Sequence, residues 1–270
     1  SHNNCTYCAM YRELNQKFRI RSEEEILQII KENSSPTYKK AFIADGNALI
    51  IPTKVLLKTI KSIYDSNRNI KRVSIYGNVR DILRKSPEDL KKLSEAGLEM
   101  VYIGFESGDD TTLRRIKKGA NKSQTIEAMK KLKATGIKVS GMVLLGVGSK
   151  ERRFSQAHET ADMLSKGDPD YVGLLSLQVR PGAPIYKEWE NGSFELPDKF
   201  QILKELEIIA ENTDLTDGHF FSNHISNYLP IKAIYPRDKE ATVKKIKDIL
   251  SFNSEKELRS EYYRDVVNQY

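Results

Sequence analysis

The chain has 270 residues, of which 39% are hydrophobic and 30% are charged, a balance typical of a globular protein with a sizeable core. Its two cysteines are too few for a disulfide framework, and no long apolar run indicates a membrane span. The net charge of +7 is compatible with an anionic substrate or a nucleic acid, although the lysines are spread along helix-like segments. From the cysteine usage we expect a cytoplasmic protein.

Both cysteines lie in the first twelve residues, where Cys5 and Cys8 are separated by two residues. Two thiolates at this spacing can face one metal ion or cluster. A tetrahedral zinc site needs four ligands, however, and an iron–sulfur cluster needs three or four. The two cysteines are therefore a redox pair, two ordinary thiols, or part of a metal site that lacks a ligand. We favour the incomplete metal site.

Helix and strand signals alternate along the residues that follow. Ser22 and Glu25 predict a capping box, Ser86 with Pro87 predicts the first turn of a later helix, and Ser123 is expected to cap a third. Other helices are predicted over residues 52–64 and 156–165 from their periodic apolar positions. Buried strands are predicted over residues 40–44, 73–76, 100–105, 138–145 and 171–179.

Strands that alternate with helices at intervals of about thirty residues predict parallel βαβ units. With one more strand expected near the N-terminus, we predict an α/β fold that forms a partial (β/α)6 TIM-like barrel; an open doubly wound sheet is the alternative. The barrel is assigned to residues 1–194 and a helical C-terminal extension to residues 195–270. Within the extension we predict a polar loop over residues 219–228 and helices over residues 238–250 and 254–266.

The segment Cys5-Thr6-Tyr7-Cys8 resembles the end of the cluster motif of the radical SAM superfamily. That motif has three cysteines, usually C-x3-C-x2-C, and an aromatic residue commonly precedes the last one. The resemblance implies that Cys5 and Cys8 bind a 4Fe–4S cluster and that Tyr7 lies against the cofactor. Ser1 stands at the usual first position, so we expect the third cysteine to lie just upstream of Ser1 or to be replaced by it. Without that ligand we expect the cysteine turn to be disordered or displaced.

The same resemblance implies contacts with S-adenosylmethionine (SAM) at the ends of the strands. Asp45, Gly46 and Asn47 stand where the family commonly has Gly-Gly-Glu against the SAM amino group, although a turn that bonds its own backbone is the alternative. Glu106 and Ser107 match the segment that approaches the ribose. Because Gly104 precedes Glu106 by two residues, we expect room for a ligand beside that carboxylate.

Three further residues complete the implied cofactor contacts. Lys118 stands where an arginine commonly pairs with the SAM carboxylate, and Gly146 lies in the segment that flanks adenine. Arg180 is expected to point into the pocket, at SAM or at an anionic substrate. The alternatives are an ion pair between Glu106 and a lysine such as Lys117, and a strand-end salt bridge for Arg180.

The resemblance implies that a reduced 4Fe–4S cluster cleaves SAM to a 5′-deoxyadenosyl radical, which abstracts hydrogen from an unidentified substrate. A flavodoxin- or ferredoxin-like electron donor is then an expected partner. Asn223, His224 and Asn227 are candidate substrate contacts, with His224 as a general acid or base or only as a hydrogen-bonding residue. Two alternatives stay open: a non-redox TIM-like barrel that binds a phosphorylated ligand, and a nucleic-acid-binding protein.

Overall fold

The structure is a computed structural model that describes residues 4–9, 19–252 and 254–261. In chain order, its helices and strands are α1 Glu23–Glu32, β1 Lys40–Ile43, α2 Thr53–Ser66, β2 Arg72–Gly77, α3 Val79–Arg84, α4 Pro87–Glu95, β3 Leu98–Glu106, α5 Asp110–Arg115, α6 Lys122–Ala134, β4 Lys138–Leu145, α7 Ser149–Gly167, β5 Tyr171–Ser176, α8 Pro184–Glu190, α9 Lys199–Asn212, β6 Gly218–Phe221, β7 Lys232–Tyr235 and α10 Lys239–Ser251. Among the described residues, no helix combines the length and apolarity that crossing a bilayer requires.

The strands follow one another in the sheet in chain order, from β1 to β7. Strands β1, β2 and β3 pair in parallel, as do β5 and β6, whereas β7 runs antiparallel to β6. The sheet is open, because β1 and β7 stand at its two edges. The predicted α/β fold with parallel βαβ units is therefore confirmed.

The described residues divide into two compact units. The first unit holds residues 19–103 and 127–140, and its core includes Ile60 of α2 and Ile75 of β2. The second unit holds residues 4–9, 104–126 and the described part of 141–261. In the second unit α7 packs against α9. The proposed domain boundary after residue 194 stays a prediction.

Two of the three predicted helix caps are confirmed by the structure. Ser22 forms the predicted capping box with Glu25, and Ser86 accepts the predicted bond from the Asp89 amide. The third predicted cap is wrong, because Asn121, not Ser123, exchanges hydrogen bonds with Gln124. Asparagine is as good an N-cap as serine, so the two signals compete within three residues of each other.

The C-terminal region contains two short strands that the sequence analysis missed. Strand β6 occupies the first part of the predicted loop, and the Phe220 ring stacks on Tyr235 of β7 at 4.8 Å. Each strand has four residues, too few for a clear alternation. Helix α10 confirms the predicted helix over residues 238–250, but residues 254–260 are not helical. Residues 262–266 lie outside the described residues.

A tightly bonded turn connects β3 to α5. The Asp109 carboxylate caps α5 by accepting from the Thr112 amide and hydroxyl, and Arg152 donates to both of its oxygens. Burial raises the pKa of Asp109, but these hydrogen bonds outweigh burial and hold the pKa at about 2. The Gly108 amide donates to the Thr160 hydroxyl at 2.9 Å. The residues that follow β3 are therefore fixed against α7.

We predict that Gly108→Ala destabilises the protein by about 2 kcal/mol or more, because a Cβ there overlaps the Glu159 carbonyl. Gly173→Ala is the matched control, since a Cβ at Gly173 in β5 meets nothing closer than 3.9 Å. Urea denaturation of both variants measures the difference in the free energy of unfolding. Equal losses in the two variants would contradict the close approach of β3 and α7 at this position.

Candidate functional site

The cysteine turn is attached to the second unit through the backbone of Thr6. The Thr6 amide donates to the Ile116 carbonyl at 3.0 Å, and the Thr6 carbonyl accepts from the Ile185 amide at 2.9 Å. The Cys8 amide donates to the Cys5 carbonyl at 3.4 Å, so both cysteines belong to one turn. Thr6 and Cys5 are buried. The expectation of a disordered or displaced cysteine turn is therefore wrong, because two backbone hydrogen bonds hold the turn in place.

Cys5 lies in an environment with both charged and apolar neighbours. Its Sγ lies 3.8 Å from the Lys117 carbonyl oxygen. Burial raises the pKa of the Cys5 thiol, and the positive charge of Lys118 partly opposes that rise. Burial also raises the pKa of Tyr7, whose hydroxyl hydrogen-bonds with Glu106 and with Cys5. Tyr7 is thus a neutral hydroxyl that links the cysteine turn to the end of β3.

Glu106 ends β3 in the left-handed backbone region, with φ of 65°. Such a conformation is uncommon outside glycine and costs free energy, so the surrounding structure must hold it. The Lys118 ammonium lies 2.8 Å from the Glu106 carboxylate, and both side chains are largely buried. A Cβ on Gly104 would overlap this carboxylate oxygen. The space at Gly104 is therefore occupied by Glu106 itself rather than left for a ligand, and the partner of Glu106 is Lys118 rather than Lys117.

A cavity of about 330 Å³ opens beside Tyr7 and Glu106. Its apolar wall is contributed by β4, by β5 and by the segment after β5. Its polar lining comes from side chains that follow β5 and β6. The lining residues are Tyr7, Glu106, Met142, Val143, Leu144, Leu175, Ser176, Leu177, Gln178, Arg180, His224 and Ser226. All of them belong to the second unit.

Of the three candidate substrate residues in the loop after β6, one lines this cavity. His224 lines the cavity, His224 and Asn223 are both exposed, and Asn227 is buried. The Asn227 amide nitrogen donates to the Leu174 carbonyl at 2.7 Å. Asn227 accordingly holds the loop on β5, and its role in binding substrate stays a prediction without a geometric argument.

Two of the residues predicted to contact the cofactor, Ser107 and Gly146, form hydrogen bonds with other residues of the chain. Ser107 is fully buried, and its hydroxyl accepts from the Asp109 amide at 2.9 Å. The Gly146 amide donates to both carboxylate oxygens of Glu205 at 3.0 and 3.2 Å. Both residues therefore shape the turns that follow β3 and β4. Their direct contact with a cofactor stays a prediction.

Asp45, Gly46 and Asn47 lie in the first unit and follow β1. The Asp45 carboxylate accepts from the Gly46 amide at 2.7 Å, as the alternative of a self-bonded turn describes. The buried Asn47 amide nitrogen donates to the Asp81 carboxylate at 2.6 Å. Contact of these three residues with SAM stays a prediction.

The sequence analysis overlooked Glu205. This glutamate of α9 is 1% exposed, and burial raises its pKa to about 8 despite the hydrogen bond from Gly146. A signal for it was present, because Ile202 and Ile209 flank Glu205 at helical spacings of three and four residues. A carboxyl group on an apolar helix face indicates a buried hydrogen-bond partner, because burying it without one costs free energy.

The chain is similar to several known proteins. Residues 2–161 match the family model described as the Radical SAM superfamily. Heme chaperone HemW of Bacillus subtilis is 23% identical over 211 residues, which cover 76% of this chain and 54% of HemW. An uncharacterized protein of Methanocaldococcus jannaschii is 27% identical over 241 residues, which cover 85% of this chain and 69% of that protein.

Among solved structures, coproporphyrinogen III oxidase HemN from Escherichia coli, itself described as a radical SAM enzyme, is similar in fold. Its TM-score is 0.58 at 13% identity, and the match covers 77% of this chain and 48% of HemN. This likeness supports the partial TIM-like barrel architecture. The chain spans about half the length of HemW and of HemN.

The raised pKa of Glu205 predicts a pH-dependent stability. The unfolded chain loses this proton near the ordinary pKa of 4.5, whereas the folded protein keeps it until about pH 8. Between these values the unfolded state binds fewer protons, so the free energy of unfolding falls as pH rises. Glu205→Gln cannot ionise and should gain up to about 4 kcal/mol relative to wild type across this range.

The control for Glu205 is Glu211→Gln, an exposed glutamate of the same helix that pairs with Lys247. Chemical denaturation of the three proteins from about pH 5 to about pH 8 measures the effect. A stability difference between Glu205→Gln and wild type that does not change with pH would show that Glu205 is ionised in the folded protein.

Proposed function

Because the chain belongs to the radical SAM superfamily, whose enzymes use a 4Fe–4S cluster and SAM, we propose that it forms the catalytic barrel of a radical SAM enzyme. The observation that carries the proposal is the attachment of the cysteine turn beside Glu106. Through Tyr7, the two cysteines of the cluster motif and the polar residue at the end of β3 share one hydrogen-bonded site.

The residues present fit two of the three thiolates that a cluster of this family requires. The sequence contains two cysteines, and the described residues hold no group of three His, Cys, Asp or Glu side chains that suits a metal ion. We therefore propose that Cys5 and Cys8 bind the cluster together with a third ligand other than a cysteine of these 270 residues. When bound, the cluster supplies the electron that cleaves SAM. The family needs a reductant, and a flavodoxin- or ferredoxin-like donor is the proposed one.

In this proposal the described side chains bind and orient SAM. The Lys118 ammonium lies 2.8 Å from the Glu106 carboxylate and orients it, and the carboxylate oxygens can accept hydrogen bonds from the ribose hydroxyls. Tyr7 fixes the position of Glu106 by donating to it. The apolar side chains of β4 and β5 keep water from the reacting atoms.

The proposal names neither the substrate nor the cellular compartment. Membership of the family does not identify the substrate, and a nucleic acid stays an alternative that only the net charge of +7 favours. The cytoplasmic location likewise stays a prediction.

We predict that Glu106→Gln weakens SAM binding about tenfold or more in the cluster-loaded protein, because charge-assisted hydrogen bonds contribute about 1.5–3 kcal/mol each. Glu99→Gln is the matched control, since Glu99 lies in the same strand and pairs with Lys138 at the surface. Isothermal titration with SAM measures both affinities. An unchanged affinity with a lowered melting temperature would assign Glu106 and Lys118 to stability alone.

We also predict that a longer chain, extended upstream of Ser1, binds one 4Fe–4S cluster after anaerobic reconstitution, and that the 270-residue chain binds it poorly. Iron and sulfide analysis with visible absorption measures the loading. Cys5→Ser and Cys8→Ser in the longer chain should each abolish it. A colourless longer chain would contradict the proposal.

A further inference from the structure

The cavity beside Glu106 carries a second set of polar groups, of which only Arg180 was an implied contact, with SAM or with an anionic substrate. Gln178 and Arg180 follow β5, and His224 and Ser226 follow β6. They share the cavity with the apolar side chains of Met142, Leu144, Leu175 and Leu177. The arrangement resembles a binding site in which a few polar groups orient a largely apolar ligand.

His224 presents one particular ring nitrogen for binding. The Ser226 amide donates to His224 Nδ1 at 3.2 Å, and the Ser226 hydroxyl lies 2.8 Å from the same atom. A ring nitrogen that accepts from an amide carries no proton, so the neutral imidazole carries its proton on Nε2. Burial and the positive charge of Arg259 lower the pKa of His224, which favours the neutral ring. Within the described part of the chain, no hydrogen bond occupies Nε2.

The loop that holds His224 is fixed before any ligand binds. The Arg259 guanidinium donates to the His224 carbonyl at 2.6 Å, and the Ser226 hydroxyl accepts from the Ser176 amide at 3.2 Å. The buried Asn227 donates to the Leu174 carbonyl of β5. A loop bonded to β5 and to a distant arginine loses little conformational entropy on binding.

Arg180 supplies a positive charge that the cavity does not balance. Among the described residues, its guanidinium donates to one partner, the Gln178 side-chain oxygen at 3.2 Å, and pairs with no carboxylate. Glu106 is the one carboxylate in the lining, and Lys118 already pairs with it. A half-buried guanidinium with one neutral partner favours an anionic ligand, since its fork of donors matches a carboxylate or phosphate.

We propose that this cavity binds the oxyanion group of an organic acid through the Arg180 guanidinium and the His224 Nε2–H, with the apolar wall against the rest of the ligand. The identification of this acid as the substrate rests on the proposed function. The binding of the acid does not, because neither Arg180 nor His224 belongs to the cysteine turn or to the Glu106 pair.

The test uses four six-carbon probes, namely hexanoate, hexyl phosphate, hexan-1-ol and hexylamine, with NMR of the histidine rings. The sequence has four histidines, so the His224 signals can be assigned by substitution. We expect the Nε2–H tautomer in the free protein. Hexanoate, hexyl phosphate or both should shift the His224 ring, and the alcohol and the amine should not. The stronger of the two acids identifies the oxyanion.

Substitutions complete the test. Arg180→Gln should weaken binding of the acid about tenfold or more, Arg180→Lys should weaken it less, and His224→Gln should weaken it severalfold. His158→Gln and Arg68→Gln, at exposed positions outside the cavity, are the controls and should bind as wild type does. Unchanged NMR spectra away from the cavity show that each variant is folded.

Three results would overturn the proposal: a His224 ring protonated at Nδ1, equal responses to the acid and the amine, or folded Arg180→Gln that binds the acid as tightly as wild type. Failure of acid binding can be told apart from failure of the proposed function, because SAM binding is measured separately. If SAM fails to bind but the acid binds and depends on Arg180, the proposed function is wrong and this site stands.

Discussion

The candidate site depends on the two backbone hydrogen bonds of Thr6. Its amide bonds to the residue that follows α5, and its carbonyl bonds to the first turn of α8. A net contribution of about 1 kcal/mol from each bond is small, but both lie in a buried turn where an unpaired group would cost more. Without them the two cysteines would have no defined position relative to β3. The helices that follow β3 and β5 thus place a segment that is distant in sequence.

The ion pair of Glu106 with Lys118 sets the electrostatics of the cavity. Because the charges of the pair offset each other, Glu106 gives the cavity no net negative charge. The charge that a ligand meets there is then that of Arg180. One cavity in this way combines acceptors at Glu106 with donors at Arg180 and His224. That division suits a cofactor rich in hydroxyl groups and an acidic second ligand.

Helix caps and strands could be predicted from the sequence, because their signals lie within a few consecutive residues. The capping box of α1 and strand β4 are examples, since a serine with a glutamate three residues later and a short segment rich in apolar residues each carry their own evidence. The sequence analysis also assigned Glu106 and Arg180 to one pocket, because parallel strands end at one edge, and both residues line the cavity. It assigned His224 only to a loop, because strand β6 was not predicted. The partners of these residues were harder to predict. Lys118 pairs across twelve residues and Glu205 reaches Gly146 across fifty-nine, and no periodic pattern encodes such contacts.

The central claim is that the cysteine turn and Glu106 form one site for a cluster and SAM. Electron paramagnetic resonance of the reduced, reconstituted longer chain tests it most directly, with SAM added in steps. The account predicts a cluster signal whose shape changes when SAM is added, and a change that requires higher SAM concentrations in Glu106→Gln. A cluster signal that SAM leaves unaltered, or no cluster signal in the longer chain, would contradict the account.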